Sequence, residues 1–200
     1  MTLATLLSGK RLILASQSPR RKQLLAGLDI PFESIVLESP EELFPEELHS
    51  AEIAEYLARA KSDFYVSRLN PDENTIILTA DTIVWFNNKV LNKPQSKEDA
   101  ISMLTQLSGN THEVYTGVCI YYQNEFHTFS SLSKVEFADL DAEEVEYYVE
   151  QYKPYDKAGS YGAQEWIGYV AIKHIDGSFF NVMGLPIRMV YNDLKNILSK

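Results

Sequence analysis

Apolar runs alternate along this chain with stretches whose apolar residues recur every three to four positions, and the two periods mark strands and helices in turn. Residues 11 to 16 read RLILAS, a continuous apolar run opening into a turn, which predicts a first buried strand. Ser18 and Pro19 then start a helix. A serine hydroxyl accepts an otherwise unpaired amide at an N-cap, and proline's missing N–H costs nothing at the first helical position. Leu24, Leu25 and Leu28 give that helix its core face. Glu38 to Glu47 is acidic and contains proline, which predicts an exposed loop; Ser50 then caps a second helix carrying Ile53, Leu57 and Phe64.

Asn74 to Phe86 reads NTIILTADTIVWF, a β-branched and aromatic segment that predicts a central strand interrupted by Asp81. Asn87-Asn88 suits a hairpin turn into KVLNKP. Ser96 and Asp99 resemble a capping box for a helix bearing Ile101, Leu104 and Leu107 and ended by Gly109. Strand-like runs follow near 113 to 122 and 125 to 138, and Asp141 with Glu144 opens a helix that turns Val145, Tyr148 and Val149 inward. Gly168 to Val182 reads as a hairpin around Asp176-Gly177, and Pro186 opens a last amphipathic helix with Met189, Leu194 and Ile197. Several consecutive strands lack a helical crossover, so the expected fold is α/β with a mixed rather than all-parallel sheet.

Composition narrows this picture. Two hundred residues, 45% of them hydrophobic, suit one medium α/β domain or two intimately joined lobes. The single cysteine, Cys119, lies in the apolar run VCIYY and is expected to be a buried thiol, which suits a reducing compartment. The first residues carry no basic region before an apolar stretch, and no apolar run approaches membrane-spanning length, so a cytoplasmic location is expected. The net charge of -10 disfavours nucleic acid and anionic membranes as partners. A polyanionic small ligand would need a local basic cluster, usually with a divalent cation.

Such a cluster has candidates. Arg20 and Arg21 sit in the first turn of the helix begun by Ser18, where cations oppose the helix dipole. A phosphate chain clamped by the guanidinium groups and docked on the helix amides would account for them; two solvated arginines are the plain alternative. Ser16 and Ser18 could add hydroxyl donors. Asp81 lies amid apolar neighbours and pays desolvation unless it meets a cation, a donor or a metal, so it is a candidate metal ligand or general base, or else a strand-end Asp turned to water. Glu33 is a weaker second carboxylate. Lys61, Lys93 and Lys157 are each ordinary surface residues if taken singly, but Lys93 precedes a proline turn and Lys157 precedes AGSYG, whose small residues let backbone approach a ligand. Cations, a metal and one carboxylate are what phosphoanhydride hydrolysis requires. The four histidines lack zinc-ligand spacing, and no Walker A, GxGxxG or GxSxG sequence occurs.

The blocks LASQSPRRKQLL, TADTIVW, LNKPQSKEDA, LSGNTHEVYTGV, DKAGSYGAQ and GSFFNVMGLP, spread in order from residue 14 to 186, resemble the signature blocks of the Maf-like nucleotide pyrophosphatases. The resemblance implies one domain over residues 1 to 200 with a Maf/inosine-triphosphate-pyrophosphatase-like fold, an elongated mixed sheet flanked by helices and a cleft between two lobes. It also implies a homodimer and a Mg- or Mn-dependent cut between the α and β phosphates. By motif position Asp81 is the proton acceptor, with Glu33 and Asp81 at the metal. Ser16, Arg20, Arg21, Lys61 and Lys93 fall to the phosphates. Arg20, Thr82 and Gln164 resemble the branch acting on dTTP and UTP rather than the one preferring 7-methyl-GTP, and a glutamine amide can both donate to and accept from the O4/N3–H edge of thymine or uracil. Two departures stand out: Thr79 where the family often has glycine, and Glu165-Trp166 where a glycine usually follows the late glutamine. The family's link to septum formation also raises a non-catalytic regulator of cell division as an alternative.

Overall fold

The computed structural model describes residues 1–38 and 43–199. Its elements begin with α1 (Leu3–Leu6), β1 (Arg11–Ala15), α2 (Pro19–Ala26), β2 (Glu33–Ile35), α3 (Ala51–Leu69), β3 (Thr75–Phe86), β4 (Lys89–Leu91) and α4 (Lys97–Leu107). There follow β5 (Thr111–Tyr122), β6 (Glu125–Phe137), α5 (Ala142–Tyr152), a 3₁₀ turn (Ala158–Ser160), α6 (Trp166–Val170), β7 (Ile172–Asp176), α7 (Phe179–Val182) and α8 (Ile187–Leu198). The strands form a seven-stranded sheet in the order β2-β1-β3-β5-β6-β7, with β4 on β3. Both β2 and β3 run parallel to β1, whereas β4 pairs antiparallel with β3 and β7 with β6. The fold is therefore α/β with a mixed sheet and flanking helices, as the pattern predicts.

Contacts divide the chain into two compact units, one of Met1–Asp81, Thr116–Ser131 and Gly184–Lys200, the other of Thr82–Tyr115 and Leu132–Met183. Each has its own core. In the first, the two-residue period of β1 sends Leu12 and Leu14 into a cluster with Ile76, Leu78, Val118 and Ile120, joined by Leu3, Leu25, Val190 and Leu194. Ile13 and Ala15 point the other way, to Ile77 and Tyr65. Both faces of β1 are thus covered, which is why RLILA reads as unbroken apolar sequence. In the second unit, Leu104, Leu107, Val145, Tyr148 and Val149 pack with Val135, Phe137 and Ile167.

The local signals held where their hydrogen bonds were local. Ser18 accepts the Arg21 amide with Pro19 at the first helical position, Ser96 accepts the Asp99 amide, and Asp141 with Glu144 forms a reciprocal capping box. Asn87 and Asn88 both have positive φ, 50° and 59°, as the β3–β4 hairpin needs. Cys119 is fully buried.

Four expectations need correction. Ser50 precedes α3, but with φ at 46° its side chain caps nothing; Glu52 accepts the His49 amide instead. Asp81 does not interrupt β3, because its backbone continues the strand while only its side chain is anomalous. Residues 168 to 182 are not a hairpin. α6 precedes β7, β7 pairs back on β6, and Ser178 then caps the short α7. In α8 Leu194 is buried and Ile197 packs on the core as expected, but Val190 takes the place of Met189, which is 37% exposed. The expected acidic loop lies partly at residues 39–42, outside those described; Leu43, Glu46 and Glu47 are exposed. No helix among the described residues is long and apolar enough to cross a membrane.

Candidate active site

The first unit builds its site on the close approach of α3 to the sheet. Ala54, Ala58 and Ser62 recur every four residues along α3 and are fully buried, forming a smooth stripe. Opposite it, a Cβ on Gly117 of β5 would stand 2.1 Å from the Ala54 carbonyl oxygen, so only glycine fits there. On β3, Thr79 donates its hydroxyl to the Ala58 carbonyl at 2.8 Å. The threonine that departs from the family's usual glycine thus ties strand to helix. Asp81, two residues on, shares that face of the strand, since side chains alternate.

Asp81 is 6% exposed and its carboxylate is met by Lys61 of α3. A buried carboxylate without a cation would cost several kcal/mol, so this pair is what lets an acid stand in the β3 core. The arrangement can do chemistry because its partner is a long, flexible amine: one ammonium can bridge Asp81 and an incoming anion, which keeps the carboxylate compensated while the two are brought together.

At the β1–α2 turn, Ser16 accepts the Ser18 amide at 3.2 Å, and Ser18 accepts that of Arg21. With Pro19 lacking an N–H, most of the helix-start donors are already committed. A phosphate here would rely on guanidinium groups more than on helix amides, contrary to the docking expected from sequence. Arg21 is half-buried and donates Nε to the Gly184 carbonyl at 2.7 Å, which fixes its guanidinium plane; Arg20, beside it, is also half-buried.

Glu33 is elsewhere. It is exposed on the edge strand β2 and takes a two-pronged hydrogen bond from Arg11 at 2.7 and 3.0 Å, which holds its carboxyl below the usual range. The register sets Glu33 level with Ile13, and Ile13 level with Ile77, four residues before Asp81. That is about 13 Å along the sheet and about 10 Å across it. One cation needs its oxygens within about 2.6 Å, so the structure does not bring Glu33 and Asp81 to a common metal. Among the described residues no group of three or more His, Cys, Asp or Glu could hold a metal.

The second unit contains Thr82, Lys93, Lys157 and Gln164. Lys93 is exposed beside buried Pro94, and its neighbour Asn92 accepts the Gly159 amide at 3.2 Å, which joins the LNKP turn to the AGSYG segment. Gly159 has φ of 67°, and a Cβ there would strike Val84, so this close approach requires glycine. Gln164 stands in the turn from Gly162 to Glu165, closed by the Glu165 amide on the Gly162 carbonyl at 2.9 Å. The Gln164 Oε1 is buried with no donor among the described residues. An acceptor left so costs about 1–3 kcal/mol, which a ligand N–H would recover.

Sequence reasoning missed the surroundings of this turn. Lys157 is 7% exposed, not solvated, and its Nζ lies 2.7 Å from Asp156 and 3.2 Å from Glu165. The other oxygen of Glu165 accepts the hydroxyl of Tyr148, which in turn accepts the Gly162 amide at 3.0 Å. Burial first, then Glu165, drives the Tyr148 hydroxyl pKa up, so it stays a donor. The departure at Glu165 was the signal available. His112 was also passed over: it is buried, bonds the Tyr161 hydroxyl at 2.7 Å, and burial lowers its pKa to about 4.

A buried acid with a lysine partner, and arginines at a strand-to-helix turn, are the equipment of a phosphate-handling α/β protein. Residues 11–197 match the family model described as Maf-like protein, and the chain belongs to that family. A dTTP/UTP pyrophosphatase of Porphyromonas gingivalis is 51% identical over 93% of this chain and 94% of its own length. Proteins with the same description from Bacteroides thetaiotaomicron, 49% identical over 94% of this chain and 96% of theirs, and from Flavobacterium johnsoniae, 47% identical over 94% and 95%, are similar throughout. A HAM1 protein from Coxiella burnetii is similar in backbone with a TM-score of 0.46, at 14% identity, covering 94% of this chain and 99% of that one.

Proposed function

We propose that this chain is a nucleoside triphosphate pyrophosphatase that hydrolyses dTTP and UTP to the monophosphate and pyrophosphate. The observation that carries the reading is the pair made by Lys61 of α3 with the buried Asp81 of β3; the name shared by relatives about half identical over nearly the whole chain supports the substrate class. In the reaction a water oxygen attacks the α-phosphorus, the bond from that phosphorus to the α–β bridging oxygen breaks, and pyrophosphate leaves with the electron pair. Asp81 accepts the proton of the attacking water. Arg20, Arg21, Lys61, Lys93 and the Ser16 hydroxyl bind phosphate oxygens, and protonation of Asp81 would release Lys61 toward the charge that develops on pyrophosphate.

A divalent cation, Mg or Mn, fits these residues as a substrate-borne ion, because Mg is ordinarily held by one or two carboxylates together with substrate phosphates and water. Asp81 would supply the carboxylate. When bound, the cation neutralises phosphate charge. Thr82, Arg20 and Gln164 set base choice, and the buried Oε1 of Gln164 suits the N3–H of thymine or uracil. The protein acts in the cytoplasm as a homodimer, and its net charge of -10 opposes nucleic acid as a partner.

Product analysis tests this reading on dTTP, UTP, CTP, GTP and 7-methyl-GTP, with Mg or Mn and after chelation. Pyrophosphate should appear from dTTP and UTP and cease with chelator. Orthophosphate as first product, or no product from any nucleotide, would sink the assignment.

A further inference from the structure

Gly162, Ala163, Gln164 and Glu165 form a turn that is closed twice. The backbone closes it once, from the Glu165 amide to the Gly162 carbonyl at 2.9 Å. The side chains close it again by a second route: the Gly162 amide donates to the Tyr148 hydroxyl at 3.0 Å, and that hydroxyl donates to the Glu165 carboxylate. The remaining Glu165 oxygen faces Lys157 at 3.2 Å. Tyr148 is itself fully buried and stacked on Tyr152, with ring centroids 5.0 Å apart. On the far side, a Cβ on Gly168 would stand 1.8 Å from the Ala163 carbonyl oxygen, so α6 is packed directly against the turn. The turn has little room to move, and its third residue is Gln164.

The side chains around it are equally close. A Cβ on Gly162 would lie 2.8 Å from the Glu165 Cδ and 3.0 Å from the Gln164 Nε2, so the carboxylate and the amide flank the same bare glycine. A rotation of the Glu165 side chain would open that space to the Gln164 amide. An amide that reads a base must present its donor and acceptor in one order, because the opposite order matches the wrong edge.

We propose that Glu165 is a positioning residue for Gln164: its carboxylate, gripped by Lys157 and Tyr148, locks the Gly162–Glu165 turn and holds the Gln164 amide in one orientation. The inference rests on the reading above that Gln164 selects the base. Glu165 touches no reacting atom in this account. Its loss leaves the phosphate chemistry running and blurs discrimination between O4-bearing bases and cytosine, which carries an amino donor at that position.

The test is the ratio of kcat/KM for dTTP to that for CTP, which is independent of the fraction of folded enzyme. It is measured in the wild type, Glu165→Gln, Tyr148→Phe, Gln164→Ala and the double variant Glu165→Gln/Gln164→Ala. Expected are about a tenfold fall in the ratio for Glu165→Gln and for Tyr148→Phe, mostly through KM for dTTP with kcat changed less than about threefold, and no further fall when Glu165→Gln is added to Gln164→Ala. Should Glu165→Gln fail to fold, Tyr148→Phe carries the same comparison. A ratio unchanged in both, while Gln164→Ala collapses it, overturns the positioning role and leaves base reading by Gln164 standing. A ratio unchanged in Gln164→Ala removes base reading, and this proposal with it.

Discussion

Among the described residues, one lysine–carboxylate pair lies in the interior of each compact unit, and the two are built differently. Lys61 reaches from α3 to an oxygen of Asp81, which lies on a strand with apolar neighbours such as Ala80 and Ile83. Glu165 is engaged through both oxygens, by Lys157 and by Tyr148, and Lys157 has Asp156 as well. A network with each member satisfied resists rearrangement, because any movement breaks more than one bond in a poorly solvated place. A pair held by one flexible lysine can exchange that lysine for another charge. That difference suits the roles proposed above, chemistry for the first pair and geometry for the second.

The contrast is most strongly strained by taking away the lysine of the satisfied network. Lys157→Met leaves the Glu165 carboxylate without its cation and should cost about 3–5 kcal/mol of stability, read by urea unfolding; adding Glu165→Met should recover most of it. A neutral Lys157→Met would mean that Glu165 is solvated and the network idle.

Acid provides the next test, on the same unit. His112 is buried and neutral when folded, and burial brings its pKa from 6.5 to about 4. Protonation therefore favours the unfolded chain. The contribution is fully present above pH 6.5 and is lost as pH falls toward 4, a change of about 3 kcal/mol. Unfolding midpoints should drop across that window, and less so in His112→Asn; identical slopes in the two proteins would remove His112 as the cause. A smaller effect is expected from Tyr148→Phe, which leaves the buried Gly162 amide and one Glu165 oxygen unmet, at about 1–3 kcal/mol by urea titration. Stability equal to wild type would indicate that the turn is held by its backbone bond alone.

Sequence reasoning reached the parts of this molecule whose physics is short-ranged. Ser18 with Pro19, Asp141 with Glu144, and Asn87-Asn88 make their bonds within four residues, and each was legible. Asp81 was legible as an acid in an apolar run, but its partner was not, since Lys61 arrives from a helix 20 residues away whose approach depends on Ala54, Ala58 and Gly117. Glu33 shows the converse: its neighbourhood is fixed by parallel register with Arg11's strand, and register is not written in ESI itself. Residues 168–182 misled because a five-residue helix and a five-residue strand carry too few periods to tell apart. The Lys157–Glu165–Tyr148 network spans 17 residues and was visible only as an odd glutamate after Gln164.

The most direct measurement of the account is dTTP turnover by Asp81→Asn against wild type, at saturating substrate and Mg, with the folded fraction of each checked by thermal unfolding. A folded variant whose kcat is down by about 10²–10⁴-fold is expected. A folded Asp81→Asn protein that releases pyrophosphate at close to the wild-type rate would contradict it.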